Sequence, residues 1–156
     1  MIRRRNPGRD DRHILQLIRT SLLPYKQTFF PDAAVTWKDM ARRLSRGVTY
    51  VTQPARNKPV DGFCHVLVTG RTVWIDMLAV DAGARGRGIG SLLLKKAEQY
   101  GSARGCGTSE LFVDELNWLA QRFYYKHGYR MKDYVQPIRC YRMSKALNEC
   151  STEILK

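Results

Sequence analysis

Apolar and polar positions alternate with different periods along the 156-residue chain, and each change of period marks an element. Ile2 to Arg5 reads as a first strand, followed by a Pro7-Gly8 turn. Asp10 or Asp11 is placed to cap a helix whose apolar face carries Ile14, Leu15, Leu17, Ile18 and Leu22, and Pro24 is expected to end it. The connector from Tyr25 to Pro31 holds three aromatics, Tyr25, Phe29 and Phe30, between prolines. A second helix is expected over about Asp32 to Leu44, with Val35, Met40 and Leu44 inward and Gly47 as its stop.

β-type patterning follows. Val48 to Thr52 and Gly62 to Val68 read as strands separated by a turn-rich segment, Pro54 to Pro59. Gly70-Arg71 is a tight reversal into Val73-Trp74-Ile75-Asp76-Met77-Leu78-Ala79-Val80, a nearly continuous apolar run suited to a strand buried on both faces. Three strands joined by short turns imply an antiparallel meander. Leu92, Leu93, Leu94, Ala97 and Tyr100 then form the face of a helix starting near Ser91, and Glu110 to Asp114 is another strand. A strand, helix, strand unit makes its two strands parallel neighbours. Asn117 to His127 reads as a helix stopped by Gly128, Tyr129 to Tyr134 and Ile138 to Ser144 as two closing strands, and residues 147–156 as a polar tail.

The stretch between the central strand and the next helix carries the chemistry. Asp81, Ala82 and Gly83 break the strand, and Arg85-Gly86-Arg87-Gly88-Ile89-Gly90 runs straight into the helix. Such a turn suits an anionic phosphate: glycines let the backbone bend and approach, and the first N–H groups of the helix point outward with the dipole's positive end. The dinucleotide fingerprint fits poorly, because Gly86, Gly88 and Gly90 alternate and Ser91 follows; the Gly-Lys-Ser/Thr ending of a P-loop is absent.

Charge is the compositional outlier. The net charge is +13, and residues 1–50 carry eleven Lys/Arg against four Asp. This favours polyanionic ligands over polycationic ones, so a basic module binding RNA or the ribosome without catalysis is the rival expectation. Apolar content of 44% and charged content of 26% are ordinary for a globular protein, and no apolar run approaches the roughly 20 residues of a membrane span. Cys64, Cys106, Cys140 and Cys150 are scattered without a C-x-x-C pair, which argues against a zinc site or disulfide framework and for a reducing cytoplasm. Membrane binding is not expected, and the chain is expected to be a monomer or homodimer. His65, mid-strand among apolar neighbours, reads as a packed core histidine.

Arg85, Gly88 and Gly90 fill the pattern R-x-x-G-x-G, which resembles the pyrophosphate-binding signature of the GNAT superfamily of N-acetyltransferases; Leu78-Ala79-Val80-Asp81 resembles the end of the strand preceding it there. Asn117, Ala120, Tyr124, Gly128 and Tyr129 have the spacing N-x-x-A-x-x-x-Y-x-x-x-G-(Phe/Tyr), similar to the family's second signature, and they follow the glycine turn in the same strand–helix order. Asn117, Ala120 and Tyr124 share one helical face.

The resemblance implies one domain over residues 1–146, an α/β (α+β) fold with a mixed, mostly antiparallel sheet and helices on both faces, and acetyl transfer from acetyl-CoA to an amine by direct attack. The central strand and the strand at 110–114 would splay to admit pantetheine. Backbone groups of Leu78, Ala79 and Val80 would meet the pantetheine amides like a missing strand. Arg85, Gly86, Arg87, Gly88, Ile89, Gly90 and Ser91 would hold the pyrophosphate, with Lys126 a further contact, and Asn117, Ala120 and Tyr124 would line the end of the cofactor groove. Tyr124 matches the family's general-acid tyrosine. Asp76, four residues before Val80, is the base candidate, with a structural carboxylate hydrogen-bonded within the sheet or pairing an arginine as its alternative and Asp114, Glu115 or water as runners-up. Two positions where histone-type and protein N-terminal members carry a glutamate are Trp74 and Phe112 here, which argues against both subtypes. Tyr25, Phe29 and Phe30 either pack in the core between helices or form a wall of the acceptor pocket. The acceptor itself is not fixed by the motifs; a small amine or amino acid derivative bearing a carboxylate or phosphate, or a single protein amine, suits the positive surface.

Overall fold

The computed structural model describes residues 1–147. Its strands are β1 (Ile2–Arg4), β2 (Val48–Thr52), β3 (Gly62–Thr69), β4 (Thr72–Val80), β5 (Thr108–Asp114), β6 (Arg130–Val135) and β7 (Cys140–Ala146), in one seven-stranded sheet of order β1-β2-β3-β4-β5-β7-β6. Among the described residues only the β4–β5 pair is parallel; every other neighbouring pair is antiparallel. The helices are α1 (Pro7–Leu17), α2 (Leu23–Gln27), α3 (Trp37–Leu44), α4 (Ile89–Ala103) and α5 (Trp118–Lys126). The expected mixed, mostly antiparallel sheet with helices on both faces is the observed one.

Two apolar cores lie on opposite sides of it. Leu93, Leu94 and Ala97 of α4 and Tyr124 of α5 pack with Val66, Val73, Ile75 and Leu111 on one face. Ile14, Leu15 and Leu17 of α1 and Met40 and Leu44 of α3 pack with Val51, Phe63, Met77 and Ala79 on the other. β4 therefore changes sides along its length. Its buried residues alternate without interruption from Val73 to Ala79, yet Val73 and Ile75 join the first core and Met77 and Ala79 the second. The cause is a bulge: Val66 pairs with Ile75 but His65 pairs with Met77, leaving Asp76 as the extra residue. A bulge re-aims side chains locally, and this one turns the Asp76 carboxylate toward α3, where it meets Arg43. The expected strand buried evenly on both faces is thus an alternating strand with one inserted residue.

Several expected boundaries move for local reasons. Asp10 and Asp11 are not caps. Asn6 precedes α1 with Pro7 at its start, and the two aspartates are buried against Arg3 and Arg5 at 2.7 and 2.6 Å. Pro24 does not end the first helical stretch: a π-helical turn, Ile18–Leu22, leads into α2, where Pro24 sits in the first turn and its missing N–H costs nothing. The second helix begins at Trp37, not near Asp32, because Thr36 and Asp39 form a reciprocal capping box. The fourth helix begins at Ile89, and Leu92 faces solvent at 42% exposure while Leu93 and Leu94 are buried. The expected polar tail lies outside the described residues except for Leu147, whose N–H donates to the Gly107 carbonyl at 2.8 Å. Among the described residues Cys64, Cys106 and Cys140 are free thiols and no helix is long and apolar enough to cross a membrane.

Candidate active site

The glycine turn is built as its sequence demands. Gly86 and Gly88 have φ of 80° and 79°, a left-handed backbone that side chains disfavour, and a Cβ at either would meet no protein atom within 4 Å. Gly88 is the residue before α4, so the free N–H groups of that helix's first turn open onto the same space. Gly90 answers a different need, since a Cβ there would stand 3.3 Å from the Phe123 ring of α5. Arg85 is tied inward, its Nε donating to the Val80 carbonyl at 3.2 Å and its Nη2 to Ser21 Oγ at 3.4 Å. One of the carbonyls expected to meet a pantetheine amide is therefore held by Arg85. Arg87 is exposed at the tip of the turn.

β4 and β5 are hydrogen-bonded neighbours only from Thr72 to Ile75 and Thr108 to Leu111. Beyond that register they part, and Trp74 stacks on Phe112 at 5.3 Å and 19° over the junction. Two cavities open from the notch. The first, about 340 Å³, runs from the glycine turn past Val80 and Leu78 to α5, with Ser21, Leu22 and Tyr25 as its opposite wall. The second, about 640 Å³, lies on the α3 face between Trp74, Asp76, Phe112, Asp114 and the segment from Lys26 to Val35. Both share Leu22, Leu78, Asn117, Ala120 and Tyr124. The three residues expected on one face of α5 thus stand where the cavities join.

Each has a distinct situation. Asn117 caps α5, its side-chain oxygen accepting from the Ala120 N–H at 3.2 Å. Ala120 leaves room. Tyr124 is buried, and burial pushes its phenol above the ordinary tyrosine range, with a smaller push from Cys64. It keeps its proton at neutral pH and is suited to donate it.

Asp76 is occupied. Arg43 grips both carboxylate oxygens, Nε at 2.8 Å and Nη2 at 2.9 Å, and the pair forms part of the second cavity's wall. Asp114 faces it across that cavity, bound to Lys26 Nζ at 2.8 Å. Lys26 also donates to the Ile138 carbonyl at 2.7 Å, which pins α2 over the cavity. Burial opposes the charge on Lys26, and the Asp114 pair outweighs it, so its pKa is raised. Glu115, the other runner-up base, bonds the Tyr134 hydroxyl at 2.6 Å and Arg139 at 2.7 Å, outside both cavities.

The aromatics expected in the acceptor wall divide. Tyr25 lines the first cavity and not the second. Phe29 lies under the Arg139 guanidinium at 3.9 Å, and Phe30 lies 5.8 Å from Lys26 Nζ; neither lines either of the two cavities. Lys126 stands on the outer side of α5 with Trp118, Arg122 and Tyr125, apart from the cleft. The sequence reading missed His127. Its Nδ1 donates to the Phe123 carbonyl at 2.7 Å, which leaves Nε2 to accept from Ser91 Oγ at 2.9 Å. Its place just before Gly128 was visible, but the link to Ser91 spans two helices and leaves no local signal.

A family model described as the acetyltransferase (GNAT) family matches residues 16–129. The chain is 41% identical over 76 residues to an uncharacterized N-acetyltransferase of Methanocaldococcus jannaschii, covering 46% of this chain, and 39% identical over 69 residues to the blasticidin-S acetyltransferase of Streptomyces morookaense, covering 41%. Each alignment spans about half of its relative, 49% in both cases. Among solved structures, the PaiA N-acetyltransferase of Thermoplasma acidophilum, determined in complex with coenzyme A, superposes with a TM-score of 0.76 at 18% identity over 94% of this chain and 98% of that one.

Proposed function

The chain belongs to the acetyltransferase (GNAT) family, and from that premise we propose that it moves the acetyl group of acetyl-CoA onto a primary amine of a small molecule or protein by direct attack. The observation that carries this reading is the junction of the two cavities at Leu78, Asn117, Ala120 and Tyr124. One cavity begins at an anion-binding turn and the other holds paired charges, and a transfer reaction needs its two substrates to meet at one buried proton donor. The names of both curated relatives, and the coenzyme A complex of the Thermoplasma protein, support the same reading.

The residues present fit such a cosubstrate. Gly86 and Gly88 leave the turn open to a pyrophosphate, and the free N–H groups of the first turn of α4 would meet it, while the Ser91 hydroxyl is held by His127. The unpaired edge of β4 beyond Ile75 is available to the pantetheine amides. Acetyl-CoA supplies the acyl carbon that the amine attacks and a thiolate leaving group. An alkylamine with a pKa of about 10.4 arrives protonated, and freeing its lone pair at pH 7 costs about 4–5 kcal/mol. Asp76, on the acceptor side, receives or relays that proton, and Tyr124 gives its hydroxyl proton to the departing sulfur and regains one from the new amide nitrogen.

Of the eleven Lys/Arg in residues 1–50, Arg3, Arg5 and Arg43 pair with Asp10, Asp11 and Asp76 inside the fold, and the net positive charge remains beyond these pairs. The acceptor cavity carries as many cations as carboxylates, Arg43 and Lys26 against Asp76 and Asp114, which suits an amine that bears an acidic group of its own. A thioester-consumption assay over a panel of amines tests the enzyme. Turnover that depends on Tyr124 supports it; nucleic-acid binding with steep salt dependence and no turnover of any amine overturns it.

A further inference from the structure

Behind Asp76 lies a group that acetyl transfer as described leaves unused. His65 on β3 is fully buried at 0% exposure, in the sheet face that α3 covers. Its Nδ1 lies 2.8 Å from Thr49 Oγ1 on β2, which fixes the ring. Its Nε2 has no hydrogen-bond partner among the described residues, and the nearest carboxylate oxygen is Asp76 Oδ2 at 3.9 Å. Folded proteins leave few buried polar atoms unpaired, and those that remain call for a use. The β4 bulge brings the two together, since His65 pairs with Met77 and the inserted Asp76 comes within 3.9 Å of the ring.

Resting on the acetyltransferase reading above, the geometry points to His65 as a positioning residue for Asp76: a buried relay partner that takes the acceptor's proton from the carboxylate. The acceptor ammonium displaces Arg43, whose side chain is 54% exposed, from the Asp76 oxygens. The ammonium N–H bond breaks with its electron pair left on nitrogen, and the proton forms an O–H bond on Asp76. That bond then breaks as the proton passes to the Nε2 lone pair, restoring the carboxylate beside an imidazolium, and the proton returns to solvent by the same path. The step requires Nδ1–H donating to Thr49 Oγ1. A turn of the carboxylate closes the 3.9 Å gap to hydrogen-bond length, ~2.8 Å, once the guanidinium has left.

The charges around the ring suit this exchange. Burial holds the His65 pKa below its ordinary value; Asp76 on β4 and the backbone carbonyl of Arg43 on α3 pull it up, while the Arg43 guanidinium and Arg5 after β1 push it down. Arg5 is already neutralised by Asp11. His65 is therefore neutral at rest and able to accept a proton, and displacing Arg43 removes a cation that opposes the imidazolium.

The imidazole resonances of the free protein test the coupling without any turnover. Titrated by NMR, the His65 midpoint should fall by about one unit in Asp76→Asn and rise in Arg43→Gln; midpoints unchanged in both variants overturn the relay. In steady state, His65→Gln should lower kcat/KM for the amine about ten- to a hundredfold near neutral pH, with a loss that shrinks as pH approaches the acceptor's own pKa. Adding His65→Gln to Asp76→Asn should deepen the Asp76→Asn loss little, because the two residues act as one unit. Thr49→Val, which keeps the imidazole and removes only its anchor, should fall about three- to tenfold with its melting temperature nearly unchanged. A His65→Gln enzyme with the wild-type pH–rate profile overturns the relay alone; a wild type that acetylates no amine overturns the enzyme reading and the relay's part in it.

Discussion

Arg43 holds both carboxylate oxygens of Asp76, at 2.8 and 2.9 Å, from a helix 33 residues earlier in the chain. The carboxylate proposed to meet an incoming ammonium thus already has a cation on it, a bidentate guanidinium on an exposed side chain. On that proposal, an acceptor exchanges with the guanidinium. Asp76→Asn keeps the shape and removes the charge. It should lower kcat/KM for the amine by about 10²–10³-fold, within the span of a lost acid–base group, and the loss should shrink as pH rises because more amine arrives deprotonated. A pH–rate series in both proteins checks this. A pH-independent loss with a lowered melting temperature would mark Asp76 as a structural partner of Arg43 and nothing more.

Tyr124→Phe keeps the ring against Tyr129, which lies 5.6 Å away edge-on, and deletes only the hydroxyl. The expected outcome is a fall in kcat of about 10²–10⁴-fold at nearly unchanged acetyl-CoA affinity. Since burial raises the Tyr124 pKa above the usual phenol value, the proton stays on across the working range, and the wild-type rate should show no alkaline fall at or below the ordinary tyrosine pKa of about 10 that is due to this residue.

Gly88 separates backbone strain from ligand repulsion. A Cβ there meets no protein atom within 4 Å, but φ is 79°. Gly88→Ala should destabilise the fold by about 1–2 kcal/mol, the usual cost of left-handed backbone for an L-residue, and weaken coenzyme A binding in part. Gly88→Asp adds a negative charge beside the proposed pyrophosphate site and should abolish binding. Calorimetry with coenzyme A and thermal denaturation of the two variants check the order, and equal affinity in Gly88→Asp and wild type would remove the site from the glycine turn.

His65 and Asp10 should set two different acid limits on stability. Burial depresses the His65 pKa below its unfolded value, so its contribution is complete above the unfolded pKa of about 6.5 and is lost as pH falls through the folded one. Asp10 is also buried, which alone would raise its pKa, but the Arg3 pair and the Asn6 N–H outweigh this and lower it. Its contribution is complete above the unfolded value of about 3.9 and is lost only in stronger acid. Thermal melts should show the first decline below about pH 6.5, and His65→Asn should flatten that decline while leaving the one in stronger acid.

What the sequence determined by itself was whatever depends on neighbours in the chain. The glycine turn was legible because left-handed backbone and a helix start are written in adjacent residues. Asn117, Ala120 and Tyr124 could be placed on one face because a helix repeats regularly, and the β4–β5 crossover followed from a strand, helix, strand order. Only the tertiary structure decided the rest. The bulge at Asp76 is a mismatch between two strands, and the unbroken alternation from Val73 to Ala79 gives no hint of it. β7 enters the sheet between β5 and β6, a choice of edge that periodicity does not encode. Arg43 on Asp76, His65 behind it, Lys26 on Asp114 and Ser91 on His127 join residues from 11 to 88 positions apart. Hydrogen bonds and charge pairs act over a few ångströms of space, whatever length of chain lies between, so the residues that tune the acceptor side become visible only when the sheet brings them together.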